Sequence, residues 1–292
     1  MNAPDRPGVL ALPVDARSCG TSPAHEAAHL HVSGRALYVD DVAEPQGTLF
    51  VAPVLSRVAH GRLRGMATAG AQALPGVVRI IVAGDLPGAN LLGSAQDEPV
   101  LPADIVEYVG QPIALVVARS AKAARVAARA VVADIEPLAP ILSIDAALEA
   151  EAYVLPPVHL IEGDVQSALA ASAPVLEREF AVGGQEQFYL EGQIALALPG
   201  EDRTMKVLSS TQHPGEVQHW VAHALHVPTH SVQVECRRMG GGFGGKETQA
   251  TIPALMAALL AHHEQHEFAD RGVLFLEHLL DGLLVVLDEG LR

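Results

Sequence analysis

Every residue from Gly240 to Gly245 except Phe243 is glycine, and no other stretch restricts what the chain around it can build so strongly. A backbone with so little side chain enters positive φ and turns its N–H groups toward a ligand. Before it, Val232, Val234 and Cys236 alternate as in a strand. After it, Ile252, Leu255, Met256, Leu259 and Leu260 recur as on an amphipathic helix, with Pro253 confined to its first turn. The glycines therefore sit between a strand and a helix. Gly240, Gly242 and Gly245 satisfy the GxGxxG spacing, and Gly240 to Lys246 satisfy a Walker loop as far as its lysine. Neither pattern carries through. The Walker loop needs a hydroxyl after the lysine, whereas Glu247 stands there and repels phosphate. A dinucleotide site needs an acidic residue ending a second strand, whereas Glu264 and Glu267 follow a helix in a His-rich stretch. A turn that merely lets a helix pack closely is the plainer alternative, and Phe243 and Glu247 argue against it.

The formal charge of -15, with only 19 Lys and Arg, argues against a nucleic-acid binder, because neutralising phosphates requires clustered cations. A hydrophobic content of 49% over 292 residues is enough for about two domains with real cores. Cys19 and Cys236 form no CxxC pair and no zinc pattern, which fits a reduced, cytoplasmic setting. No run of apolar residues reaches membrane-spanning length and the first residues lack an apolar core, so neither a span nor a signal peptide is expected.

Residues 1–22 are rich in Pro, Gly and Ser and read as a flexible lead-in, with order starting near His29. Apolar runs at 48–54, 77–82 and 113–118 read as strands. Ser120 is placed to cap a helix whose Lys122, Arg125 and Arg129 share a polar face, and 131–135 reads as the next strand. The proline-bearing passage 137–157 reads as a connection between domains. Beyond it, 194–198 and 205–210 read as a hairpin, and Pro214 opens a helix carrying Val217, Trp220, Val221, Ala224 and Leu225. The fold class expected is mixed α/β, or α+β.

The string Met239-Gly240-Gly241-Gly242-Phe243-Gly244-Gly245-Lys246-Glu247 is similar to the molybdenum-cofactor loop of xanthine dehydrogenases. His31 to Asp41, and Val109-Gly110-Gln111-Pro112 with the β-α-β unit after it, resemble that family's α/β hammerhead domain. Gln185 to Gln193 and Ser209-Ser210-Thr211-Gln212-His213-Pro214 resemble the start of its molybdopterin-binding region. The resemblance implies a tail at 1–22, a hammerhead domain at 23–148, the first part of a molybdopterin-binding domain at 149–262 and a divergent tail at 263–292.

It also implies an activity: hydroxylation of hypoxanthine and xanthine towards urate at a molybdenum held by molybdopterin. Electrons would leave through 2Fe-2S centres and FAD to NAD on a partner subunit, in a hetero-oligomer of the bacterial type. By motif position Gln212 would hydrogen-bond the cofactor's oxo group, the N–H groups of Phe243 and Gly244 would contact the molybdenum centre, and Glu247 would orient the purine. Set against these roles, Gln212 is also placed to cap the helix at Pro214, and Glu247 to meet a helix dipole. From Glu264 the sequence departs from the family, whose later segments carry a substrate-binding arginine and a general base. The expectation is a truncated chain that is catalytically silent alone. A non-catalytic hammerhead interaction module, and a hydroxylase of aldehydes or other heterocycles, remain as alternatives.

His25-Glu26-Ala27-Ala28-His29 spells HExxH, but a zincin needs a long helix around it and none is expected here. His219, His223 and His226 fall on the polar side of their helix, and His262, His263 and His266 near the end of theirs, where imidazoles suit the terminal carbonyls.

Overall fold

The computed structural model describes residue 22 and residues 24–93, 95–264 and 273–276. The lead-in at 1–22 lies outside the described residues except for Ser22, as does His266. The chain divides into Met1–Leu37 and Tyr38–Arg292. The first unit holds one short helix, α1 (Ala28–Val32).

The second unit runs β1 (Leu49–Leu55), β2 (Gly61–Ala67), α2 (Ala69–Gln72), β3 (Val77–Ile81), β4 (Leu91–Leu92), β5 (Glu98–Pro99), β6 (Ile105–Val106), β7 (Pro112–Ala118), α3 (Ala121–Ala130) and β8 (Val132–Pro137). It continues through α4 (Ile144–Glu149), α5 (Val165–Ala171), β9 (Ile194–Pro199), β10 (Met205–Ser209), α6 (Pro214–Leu225), β11 (Val232–Glu235), α7 (Thr251–Glu264) and β12 (Val273–Leu276). The main sheet has the strand order β11-β10-β9-β12-β1-β7-β3, beside a smaller sheet β6-β2-β8 and the pair β4-β5. The fold is mixed α/β, as the alternating periods of the sequence require.

The run in β7 is continuously apolar because both its faces are covered. Leu115 and Val117 join the core under α6 and α7, while Ala114, Val116 and Ala118 pack with Ala124, Ala127 and Ala128 of α3. Ser120 caps α3 as its position predicts, its hydroxyl accepting from Ala123 N at 3.2 Å. The hairpin β9–β10 is antiparallel, with Val207 opposite Ala197.

Two outcomes differ from the sequence reading. Helix α7 is not amphipathic: every side chain from Ala254 to Ala261 is at most 1% exposed. Its alanines let the sheet approach on one side and α6 on the other, and a helix apolar all round has to be buried. The connection expected at 137–157 also reaches further, since every residue from 148 to 188 is exposed, α5 included. Burial resumes at Ile194 in β9. Within the stretch expected as a divergent tail, whose fold the sequence left open, β12 pairs antiparallel with β9 and parallel with β1 and so joins the earlier and later strands in one sheet. Among the described residues no helix is long and apolar enough to cross a membrane.

Candidate functional site

The glycine segment leaves β11 and reaches α7 through residues 236–250. Its glycines serve two different physical needs. Gly241 and Gly244 lie at φ of 98° and 92°, where a side chain is strained. The other three are required by close approach. A Cβ at Gly240 would sit 2.4 Å from Cβ of Glu191, one at Gly242 2.6 Å from Oε1 of Gln212, and one at Gly245 2.8 Å from Cε1 of Tyr189. Phe243, at φ 51°, adopts the left-handed region despite its bulk and is 75% exposed. A bulky residue held there marks a segment whose surroundings dictate its shape.

Those surroundings are a buried polar cluster. Lys246 is wholly buried, with Nζ donating to the main-chain oxygen of Glu191 at 2.5 Å and to Oγ of Ser210 at 2.8 Å. Its ammonium lies 3.6 Å from Oε2 of Glu191 and 4.5 Å from the centre of the Tyr189 ring. The Glu191 carboxylate in turn accepts from Gly240 N at 2.7 Å, from the Ser210 hydroxyl at 2.7 Å and from Val39 N at 3.2 Å. Gln193 Nε2 donates to the Tyr189 hydroxyl and to Gly245 O, both at 3.1 Å. A buried charge surrounded in this way is fully partnered, the condition for tolerating it inside a protein.

Of the residues singled out in the sequence, Gln212, Phe243, Gly244 and Glu247 are brought together at the outer side of this loop. Oε1 of Gln212 accepts from Gly244 N at 3.0 Å and from Lys246 N at 3.2 Å, while Gln212 N donates to Lys246 O at 2.8 Å. Two N–H donors converging on one atom identify it as the oxygen, so the exposed amide presents its NH₂ away from the loop. The Gly244 N–H is therefore engaged by Gln212, whereas the Phe243 N–H has no partner among the described residues. Glu247 is exposed, one residue past the buried Lys246.

Both plainer readings of the polar pair fail on geometry. The cap of α6 is His213, whose Nδ1 accepts from Glu216 N at 2.9 Å, so Gln212 is not the capping residue. Helix α7 begins at Thr251 with no acidic residue in its first turn, so Glu247 does not sit on its dipole.

The histidine sets take no part. His25 lies before α1, and its Nδ1 accepts from Ala27 N at 3.1 Å, so His25 and His29 do not share a helical face. His219 and His223 are exposed and stacked on α6, and Nε2 of His263 lies 3.0 Å from Asp85 O.

The sequence reading missed Glu191, Ser210 and Lys246 as a unit. The available signal was a lysine directly after a glycine run, which has to be either solvated or paired. Glu98 of β5 also escaped it; its carboxylate is hydrogen-bonded to Gln249, between the loop and α7. Burial pushes the Glu98 carboxyl above its usual range, opposed by the Gln249 bond and reinforced by Asp97. A carboxyl raised in the folded state stabilises the fold while protonated, and that contribution is lost as pH rises through the raised value. Glu98→Gln is therefore expected to be more stable than the parent at neutral pH, with the difference closing below pH 4.5, in denaturant titrations across pH.

The segment that fixes the Gln212 amide through Gly244 N and Lys246 N follows β11, an edge strand of the main sheet. Residues 149–267 match the molybdopterin cofactor-binding domain, and residues 33–139 match the aldehyde oxidase and xanthine dehydrogenase a/b hammerhead domain. The chain belongs to the xanthine dehydrogenase and aldehyde oxidase family of molybdenum hydroxylases. It is 40% identical over 238 residues to the xanthine dehydrogenase/oxidase of Gallus gallus, covering 81% of this chain and 18% of that protein. It is 40% identical over 256 residues to aldehyde oxidase 1 of Oryctolagus cuniculus, covering 85% and 19%. The crystal structure of quinoline 2-oxidoreductase from Pseudomonas putida 86 superposes with a TM-score of 0.74 at 27% identity, covering 88% of this chain and 34% of that one. The chain thus spans about a fifth of the length of these relatives and about a third of that solved chain.

Proposed function

We propose that the chain forms one wall of the molybdenum-cofactor site of a xanthine dehydrogenase that hydroxylates hypoxanthine and xanthine. The observation that carries this reading is the Gln212 amide, whose oxygen is held by the Gly244 and Lys246 N–H groups so that its NH₂ faces outward. An uncharged donor fixed in this way suits an oxo-type acceptor, so the residues present fit the cofactor. Bound molybdopterin would supply the redox chemistry of hydroxylation. In this reading Gln212 and the Phe243 N–H hold the cofactor, and Gly244 acts by fixing Gln212. Glu247 orients the purine through hydrogen bonds that a carboxyl group both accepts and donates.

The hammerhead part would occupy 23–148 and the first part of the cofactor-binding domain 149–262. The same reading includes 2Fe-2S centres, FAD and NAD on a partner subunit, in a cytoplasmic hetero-oligomer. By itself the chain is expected to be silent towards purines.

A second reading, hydroxylation of aldehydes or other heterocycles, is favoured by the 40% identity to aldehyde oxidase 1, equal to that with the xanthine enzyme. Glu247→Ala in the assembled enzyme separates the two. A purine role predicts a fall of about 10²–10³-fold in xanthine-dependent NAD reduction, the size seen when one transition-state hydrogen-bonding group is removed. Aldehyde turnover should change far less. An unchanged xanthine rate would support the second reading, and bound molybdenum measured in the same preparations checks that the cofactor is present.

A further inference from the structure

We propose that Glu191 and Lys246 are positioning residues that set the direction of the Gln212 amide. Glu191 grips both ends of the glycine segment. Its carboxylate takes Gly240 N at 2.7 Å, its N–H donates to Gly240 O at 3.2 Å, and its main-chain oxygen takes Lys246 Nζ at 2.5 Å. Ser210 Oγ bridges the two charged groups, donating to Glu191 Oε2 at 2.7 Å and accepting from Lys246 Nζ at 2.8 Å. The span from Gly240 to Lys246 is thereby fixed by a pair that is almost free of solvent, the two side chains being 8% and 0% exposed.

Between those anchors the segment makes the contact on which the Gln212 amide depends. Gly244 N and Lys246 N meet at Oε1, and the second of these donors belongs to the anchoring lysine itself. An amide side chain has nearly the same shape with its oxygen and nitrogen exchanged, so only converging donors decide which end faces out. A loosened span separates the donors and releases the amide to present either end. Fully desolvated ion pairs seldom raise stability over apolar packing; their best-attested use is to specify one arrangement, and here that arrangement is the loop over Gln212.

The consequence for the cofactor rests on the proposed function, but the geometry is testable without it. Amide exchange at Gly244 and Lys246, and the side-chain NH₂ signal of Gln212, are to be followed by NMR in the parent chain, in Glu191→Gln and in Gln212→Ala. Both variants should speed exchange at Gly244 and Lys246 by at least about tenfold while Val221 in α6 and Leu255 in α7 keep parental rates, as expected of a local opening. In Glu191→Gln the Gln212 NH₂ signal should also shift or broaden. Parental exchange at Gly244 in Glu191→Gln overturns the proposal, and so does an equal acceleration throughout the chain. If Glu191→Gln does not fold, Ser210→Ala, which removes only the bridging hydroxyl, is read by the same criteria. Selective loosening in a chain that never retains molybdenum would count against the proposed function and leave this inference standing.

Discussion

Lys246→Met is expected to lower the free energy of unfolding by about 3–5 kcal/mol, the range found when one partner of a buried ion pair is removed. Methionine keeps most of the aliphatic volume, so the loss isolates the ammonium group. Without it the Glu191 carboxylate, 8% exposed, keeps its bonds to Gly240 N, Val39 N and Ser210 but loses its only cation among the described residues. The main-chain oxygen of Glu191 loses a donor as well. The check is a denaturant titration: the midpoint should fall with little change in slope, since the surface exposed on unfolding is nearly the same. Adding Glu191→Met to the variant should recover only part of the loss, because Gly240 N and Val39 N then lack their acceptor. A loss in the single variant below about 1 kcal/mol, the scale of a surface ion pair, would mean that water reaches the site.

Much of the framework around this cluster was legible because it depends on local periodicity. The strand at 113–118, its capping Ser120 and the helix after it are written in adjacent residues, and the structure places β7 and α3 there. The hairpin of β9 and β10 and the start of α6 at Pro214 follow for the same reason. What was not legible depends on residues far apart. The period of α7 was visible, but its burial on every side was not, because alanine reads as neutral in a pattern and becomes decisive only when a sheet and α6 close on it. The insertion of β12 between β9 and β1 pairs residues more than two hundred positions apart at Leu49 and Val273, which no local pattern encodes.

The site divides in the same way. Gln212 and Glu247 stood out through their motif, and the geometry removed the plainer roles of both. The glycines were read first as a source of N–H donors. At Gly240, Gly242 and Gly245 the structure instead makes close approach the requirement, and the Gly244 N–H faces Gln212. Lys246 and Glu191 are 55 positions apart, and neither residue reveals alone that it is buried against the other.

That division yields the second large effect, Gly242→Ala. The added methyl group would lie 2.6 Å from Oε1 and 2.8 Å from Cδ of Gln212, and 2.8 Å from Cε of Met239. The methionine end moves easily. The Gln212 amide does not, because Gly244 N, Lys246 N and its own N–H to Lys246 O fix it. The variant must therefore shift Gln212, give up the two bonds at Oε1 and strand donors beside a buried lysine. Overpacking of a tight site costs about 1–3 kcal/mol, and an unsatisfied donor adds about 1–3 kcal/mol where it is buried, so a loss of about 2–6 kcal/mol is expected. Gly70→Ala provides the contrast: in α2 an added Cβ meets nothing within 4 Å, and alanine there should stabilise by about 0.5–1 kcal/mol. Denaturant midpoints of the two variants give the comparison, and molybdenum content of the purified proteins reports the site separately. If flexibility were all that position 242 supplies, alanine there would cost no more than the ordinary propensity difference and Gln212 would keep its bonds. A large loss at 242, with Gly244 and Lys246 amides exchanging faster than in the parent, instead assigns the glycine to the approach of Gln212.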